Sequence, residues 1–179
     1  MKPFGSWPNT ISVFRIALVP VLLALLLTDS RTAHYVAAAV FVVAAATDVL
    51  DGYLARRHKM TTVTGQWLDP LSDKLLVLAP ILLLTVQGEF PIWGTIIIVV
   101  REVAVSGLRL YVGNRRASMP ASDIAKAKTV SQTLAITLYL LPGVPTGIRI
   151  GVLILAVALT VYSGIDYFLR VRSVIGATK

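Results

Sequence analysis

Four aspartates stand where an apolar chain has least use for negative charge. Asp48, Asp51, Asp69 and Asp73 lie at the edges of two long apolar runs, in a chain of 179 residues with only nine acidic residues. The segment reads Asp48-x2-Asp51-Gly52-x2-Ala55-Arg56-x8-Gly65-x3-Asp69-x3-Asp73. If both flanks are helical, Asp48, Asp51, Gly52 and Ala55 fall at i, i+3, i+4 and i+7 and share one face, while Gly65, Asp69 and Asp73 repeat at i+4 and line the facing helix. Measured from a rim near Arg56-Arg57 and Thr64, a rise of ~1.5 Å per residue puts Asp51 and Asp69 roughly 8 Å deep, and Asp48 and Asp73 roughly 12 to 14 Å deep. Four carboxylates at two paired levels repel one another unless cations lie among them. All-oxygen donors, without cysteine or a convergent histidine, suit hard divalent ions such as Mg²⁺ or Mn²⁺, and four carboxylates suit two ions better than one. A two-ion clamp serves displacement at phosphorus. Gly52 and Ala55 leave room for a bulky substrate against the backbone, and Arg56 at the rim can fork onto a diphosphate. An ion pair would account for any one of these aspartates; it does not account for the set.

The elements that carry them are apolar. The chain is 56% hydrophobic with a mean hydropathy of +0.77, well above a soluble domain. Stretches of spanning length run at about residues 11–28, 34–55, 68–87, 91–111, 127–142 and 147–169, each near the ~20 residues that a bilayer core requires. These predict an all-α integral membrane protein: a six-transmembrane-helix bundle forming a single domain over residues 1–179, with a short interfacial segment at about 1–10. Basic residues set the topology. Arg56, Arg57 and Lys59 share one loop, Arg109, Arg115, Arg116, Lys126 and Lys128 lie in or beside another, and Arg170, Arg172 and Lys179 close the chain; the opposite loops hold Arg31 and Arg149. The positive-inside bias therefore predicts that both termini and the loop of the aspartate hairpin face the cytoplasm. Gly88-Glu89-Phe90-Pro91 and Leu141-Pro142-Gly143-Val144-Pro145 become short outer turns.

Other features bound the reading. Met1-Lys2 is followed by Pro3, Gly5 and Pro8 rather than an apolar run, so insertion is expected to rest on the first helix. Zero cysteines exclude disulfide and thiolate chemistry. The net charge of +8 borders the spans rather than forming a soluble patch with interleaved aromatics, so the partners expected are membrane lipids and phosphorylated substrates, not nucleic acid. Trp7, Trp67 and Trp93 near span ends read as interfacial anchors. His34 and His58 fit no metal or catalytic spacing.

A second charged group lies deep in the fourth apolar run. Arg101 and Glu102 fall about ten residues in, where ionised groups need a partner or a wet cavity. Ser106 and Arg109 follow toward the cytoplasmic end, and Lys126 and Lys128 open the next helix. Arg109, Lys126 and Lys128, with Arg116 between them and Arg101 below, are expected to form a basic pocket facing the carboxylate hairpin. Fixed cations there would offset the repulsion between an acceptor's phosphate and four carboxylates.

The hairpin resembles, position for position, the signature Asp-x2-Asp-Gly-x2-Ala-Arg-x(7 or 8)-Gly-x3-Asp-x3-Asp of the CDP-alcohol phosphotransferases, membrane enzymes that make phospholipids. Within that family, Arg101-Glu102-x3-Ser106-x-Leu108-Arg109, Lys126-x-Lys128-Thr129 and the early Pro8-Asn9-x2-Ser12-x2-Arg15 are similar to the bacterial phosphatidylglycerophosphate synthases. Ser12 stands where those have threonine and keeps the hydroxyl. The resemblance covers residues 8 to about 130. It implies transfer of a phosphatidyl group from CDP-diacylglycerol to the sn-1 hydroxyl of glycerol 3-phosphate, in the bacterial cytoplasmic membrane, by a multi-pass homodimer with its active site toward the cytoplasm. It further implies that Asp48, Asp51 and Asp69 hold the metals, that Asp73 adds a ligand and acts as base, and that Asn9, Ser12, Gly52, Ala55, Arg56, Thr62 and Gly65 line the CDP-lipid site. Inositol phosphate or phosphatidylglycerol as acceptor would use the same hairpin. Intramembrane carboxylates also line cation transporters, which would have no need of Gly52, Ala55 and Arg56 on the same face.

Overall fold

A computed structural model describes the backbone of residues 7–58, 65–113 and 123–176, and the side chains of 12–47, 70–112 and 123–173. Among these residues the chain is all-helical: α1 (Trp7–Leu26), α2 (Arg31–His58), α3 (Gly65–Val86), α4 (Ile92–Gly113), α5 (Asp123–Leu140) and α6 (Thr146–Gly176). Each expected apolar stretch falls largely within one helix, but the helices outrun the apolar runs. Hydropathy stops at a charge, whereas helix formation does not, because arginine and lysine are good helix formers. Thus α2 continues through Arg56 and Arg57 to His58, and α5 begins at Asp123, whose negative charge suits a helix N-terminus. Trp7 opens α1, inside the stretch expected to be interfacial; residues 1–6 lie outside the described residues.

The helices form two compact units. In the first, residues 1–89 and 136–144, α1 packs on α2 and α3, which also meet each other. Its core is built from stripes at helical spacing: Val19, Leu22 and Leu26 on α1, Ala37, Phe41 and Ala44 on α2, and Leu76, Pro80, Ile81 and Leu84 on α3. The Gln87 amide donates to the Leu26 carbonyl at 3.0 Å, satisfying an end group of α1. In the second unit, residues 90–135 and 145–179, α4 packs on α6. Gly94 permits this approach, since a Cβ there would sit 3.1 Å from Leu153 Cδ2 and 3.2 Å from Phe90 Cε1. The first part of α5 (123–135) belongs to this unit and its last turn (136–140) to the other.

Around this apolar core several polar groups are buried and many large apolar groups are exposed. Ser12, Arg15, Ser72, Thr95, Lys128, Ser131, Gln132, Thr160 and Ser163 are buried. Phe14, Val43, Val86, Trp93, Val103, Val130 and Phe168 are exposed, and between them they come from all six helices. Water would favour the reverse. Thr146–Ser173, within α6, is long and apolar enough to cross a membrane, and only 28% of its apolar window is buried, unlike the core helix of a soluble protein. Ser12–Leu26 and Arg31–Thr47 are shorter apolar stretches. In α3, α4 and α5 the apolar sequence is interrupted by Asp73, Lys74, Arg101, Glu102, Arg109, Lys126 and Lys128, several of them residues with candidate chemistry.

Both expected outer turns are turns, and each contains a glycine in the left-handed region, Gly88 (φ 77) and Gly143 (φ 81). At the end of α3 the Gly88 amide bonds Thr85 O at 3.0 Å and the Glu89 amide bonds Leu84 O at 2.9 Å, the paired bonds of a Schellman cap. Nothing lies within 4 Å of where a Gly88 Cβ would be, so backbone conformation rather than space calls for glycine. Gly88→Ala is expected to lower stability by about 1–2 kcal/mol. Gly107→Ala, in mid-α4 with the same open surroundings, should leave stability unchanged or slightly raised; thermal unfolding in detergent compares the two.

Candidate functional site

The aspartate hairpin is the junction of α2 and α3. Asp48, Asp51, Gly52, Ala55 and Arg56 fall in the last turns of α2, Gly65 opens α3, and Asp69 and Asp73 follow at the expected four-residue steps. The side chains of Asp48, Asp51, Ala55, Arg56 and Asp69 lie outside the described residues, as does the whole of Thr62. Accordingly, no cluster of three potential metal-ligating side chains occurs among the described residues.

Asp73 is held from beneath by α1. Arg15 Nη1 donates to Asp73 Oδ1 at 2.6 Å and to Ser72 Oγ at 3.2 Å. The arginine side chain is 3% exposed and the aspartate 46%. One buried guanidinium nitrogen thus anchors a carboxylate that still reaches an accessible surface. Ser12 lies one turn before Arg15 and is also buried. Asn9 precedes Ser12 by three residues in the same helix, its side chain outside the described residues. In the sequence Arg15 closes the motif Pro8-Asn9-x2-Ser12-x2-Arg15, which names no partner for it. The signal for its role was present, since it is the sole charge in the first apolar run and a buried guanidinium requires a partner.

The second unit holds a separate charged cluster. Arg101 Nη1 lies 3.1 Å from Glu102 Oε1, as adjacency in sequence suggested, and the same oxygen accepts from Lys128 Nζ of α5. Arg101 Nη2 donates to Ser163 Oγ of α6 at 2.9 Å. The side chains of Arg101, Glu102 and Lys128 are 14%, 15% and 8% exposed. One turn beyond Lys128, the Gln132 amide donates to Thr160 Oγ1 at 3.1 Å. Arg109 is exposed two turns along α4 from Glu102. Lys126 is exposed as well and pairs with Asp123 at 2.7 Å, a hydrogen bond that holds the Asp123 carboxyl below its ordinary pKa. Two residues of a helix are about 200° apart around its axis, so the inward turn of Lys128 sends Lys126 outward. The structure therefore brings Arg101 and Lys128 together around Glu102 and leaves Lys126 elsewhere; Arg116 lies outside the described residues.

The family model for CDP-alcohol phosphatidyltransferase matches residues 6–162. The chain belongs to the CDP-alcohol phosphatidyltransferase family. It is 36% identical over 174 residues to the CDP-diacylglycerol--glycerol-3-phosphate 3-phosphatidyltransferase of Rickettsia bellii, covering 94% of this chain and 96% of that one. The Bacillus subtilis protein of the same name is 36% identical over 178 residues, covering 90% and 92%. A probable phosphatidylglycerophosphate synthase of Mycobacterium tuberculosis is 38% identical over 176 residues, covering 96% and 84%. The family match takes in the hairpin, Arg15 and the Arg101–Glu102–Lys128 cluster alike.

Removing either partner of a buried ion pair strands the other, at about 3–5 kcal/mol for a fully buried pair. Arg15→Ala is expected to destabilise by less than that range, because the Asp73 left behind is half exposed, and Asp73→Ala by more than Arg15→Ala, because the Arg15 left behind is buried. The double variant should cost clearly less than their sum. Denaturant unfolding of the three variants measures the coupling, and simple additivity would show the pair to be energetically idle.

Proposed function

We propose that this chain transfers the phosphatidyl group of CDP-diacylglycerol to the sn-1 hydroxyl of glycerol 3-phosphate, forming phosphatidylglycerophosphate and releasing CMP. The observation that carries this reading is near full-length similarity to proteins named for that reaction, joined to a hairpin with every spaced position in place.

The aspartates fit a metal site by donor chemistry: four carboxylates at helical spacing on two helices that meet, with Asp73 reaching an accessible surface. Asp48, Asp51, Asp69 and Asp73 would hold two Mg²⁺ or Mn²⁺ ions, whose bound charge would offset that of the diphosphate and polarise its phosphorus–oxygen bonds. Gly52 and Ala55 admit the CDP-lipid against α2. Arg56 forks onto the diphosphate, and Asn9, Ser12, Thr62 and Gly65 complete the lipid-nucleotide site. Asp73, aligned by Arg15, takes the proton of the attacking sn-1 hydroxyl. The hydroxyl oxygen bonds to the lipid-bearing phosphorus, and the bond from that phosphorus to the cytidylate oxygen breaks. Arg101, Arg109, Arg116, Lys126 and Lys128 supply the cationic field that receives the acceptor's phosphate.

Outward apolar faces on all six helices support a multi-pass protein of six spans, solvated by lipid. The positions of the basic residues support a bacterial cytoplasmic-membrane placement with both termini and the hairpin on the cytoplasmic side. Family resemblance supports a homodimer.

The deciding experiment incubates purified protein with CDP-diacylglycerol and, in parallel, glycerol 3-phosphate, inositol phosphate or phosphatidylglycerol, and follows CMP and labelled lipid. Product with glycerol 3-phosphate alone is expected; product only with another acceptor would overturn the assignment. Asp73→Asn should lower kcat at least about 100-fold with little change in CDP-diacylglycerol binding, and undiminished turnover would remove Asp73 from the base role. In the same assay, Arg109→Ala should raise the acceptor KM about tenfold with kcat nearly unchanged; an unchanged KM would place the phosphate elsewhere.

A further inference from the structure

Among the cations assigned to the acceptor's phosphate lies one anion, Glu102, to which the reaction gives no task. Its Oε1 accepts from Arg101 Nη1 at 3.1 Å and from Lys128 Nζ, and all three side chains are largely buried. The three formal charges sum to one positive, so the cluster presents net cationic character while two like charges are kept from repelling each other.

The contacts beyond it lead to three helices. Lys128 joins α5 to α4 through Glu102, and Arg101 joins α4 to α6 through Ser163, with its stem against Gly164, where a Cβ would lie 3.4 Å from Arg101 Cγ. Lys128 and Gln132 are one turn apart on the same face of α5, and Gln132 is bonded to Thr160 of α6. Ser131 Oγ donates to the Lys128 carbonyl at 2.9 Å, and Ser163 Oγ to the Thr160 carbonyl at 3.1 Å. On α4, Glu102, Ser106 and Arg109 fall at i, i+4 and i+7, so the face that carries Glu102 also carries Arg109 two turns on.

We propose that Glu102 is a positioning residue: it sets the rotation of α5 against α4 and holds the Lys128 ammonium and Arg101 guanidinium at fixed points of the acceptor-phosphate field, without itself touching either substrate. The inference rests on the reaction proposed above. Without the carboxylate, two buried cations would adjoin with no anion between them, and Lys128, on a flexible stem, would swing away.

The test measures KM for glycerol 3-phosphate at saturating CDP-diacylglycerol, and the converse, in the full-length protein with Glu102→Gln, Glu102→Asp, Ser163→Ala and Glu102→Gln/Lys128→Met. Glu102→Gln should raise the acceptor KM about tenfold, with the CDP-diacylglycerol KM within about twofold. Glu102→Asp should recover most of the loss. Adding Lys128→Met to Glu102→Gln should cost little more, because the ammonium has already lost its place. An acceptor KM unmoved in folded Glu102→Gln would overturn the proposal, as would equal rises in both KM values rescued by no variant, the mark of a merely structural role. If Glu102→Gln does not fold, Ser163→Ala decides: a rise of about threefold in the acceptor KM supports the network's role, and no rise refutes it. A wild-type chain that makes no CMP with glycerol 3-phosphate would sink the reaction and this inference together, whereas an active wild type with an unmoved Glu102→Gln sinks the inference alone.

Discussion

An ionised side chain in apolar surroundings must be met by an opposite charge or by hydrogen bonds, because the cost of stranding it exceeds what a helix gains from most other contacts. That constraint shapes both units of this protein. In the first, Arg15 of α1 meets Asp73 and Ser72 of α3. In the second, Glu102 of α4 meets Arg101 and Lys128, and Arg101 meets Ser163 of α6. Each partnership spans helices, so satisfying a charge also fixes how those helices pack.

The same constraint links structure to chemistry. A phosphoryl transfer enzyme needs charge near its substrates, and a membrane enzyme must keep that charge where few protein or solvent dipoles can screen it. The chain answers by burying several polar side chains among its helices while many large apolar ones face outward. Each unit holds a buried charge and a more accessible one. Arg15 is buried while Asp73 is half exposed, and the Glu102 cluster is buried while Arg109, two turns along α4, is exposed. In the first unit the buried partner restricts the rotamers open to the Asp73 carboxylate.

Much of this was legible in one dimension. Helical periodicity is local, so the positions of α1 to α6 could be read from apolar runs, and the glycines of the two turns announced where those runs end. Boundaries were less legible. Arg56 and Arg57 end a hydrophobic run without ending α2, and Asp123 starts α5 four residues before its apolar stretch, because hydropathy and helix propensity are different properties of the same residues. Composition alone also picks out only α6 as a full spanning stretch among the described residues; charges that belong to the candidate sites mask the apolar character of α3, α4 and α5.

The sequence by itself determined the helical class, the aspartate spacing and the family, since each depends on residue types at short, fixed separations. Only the tertiary structure decided which charges meet. Arg15 and Asp73 are 58 residues apart and Glu102 and Lys128 are 26 apart; no local period relates them, and their encounter follows from how the helices pack. The contrast between Lys126 and Lys128 shows the reason most plainly. Both open α5 with the same charge, and it is the rotation of the packed helix that carries one to Glu102 and leaves the other on the surface with Asp123.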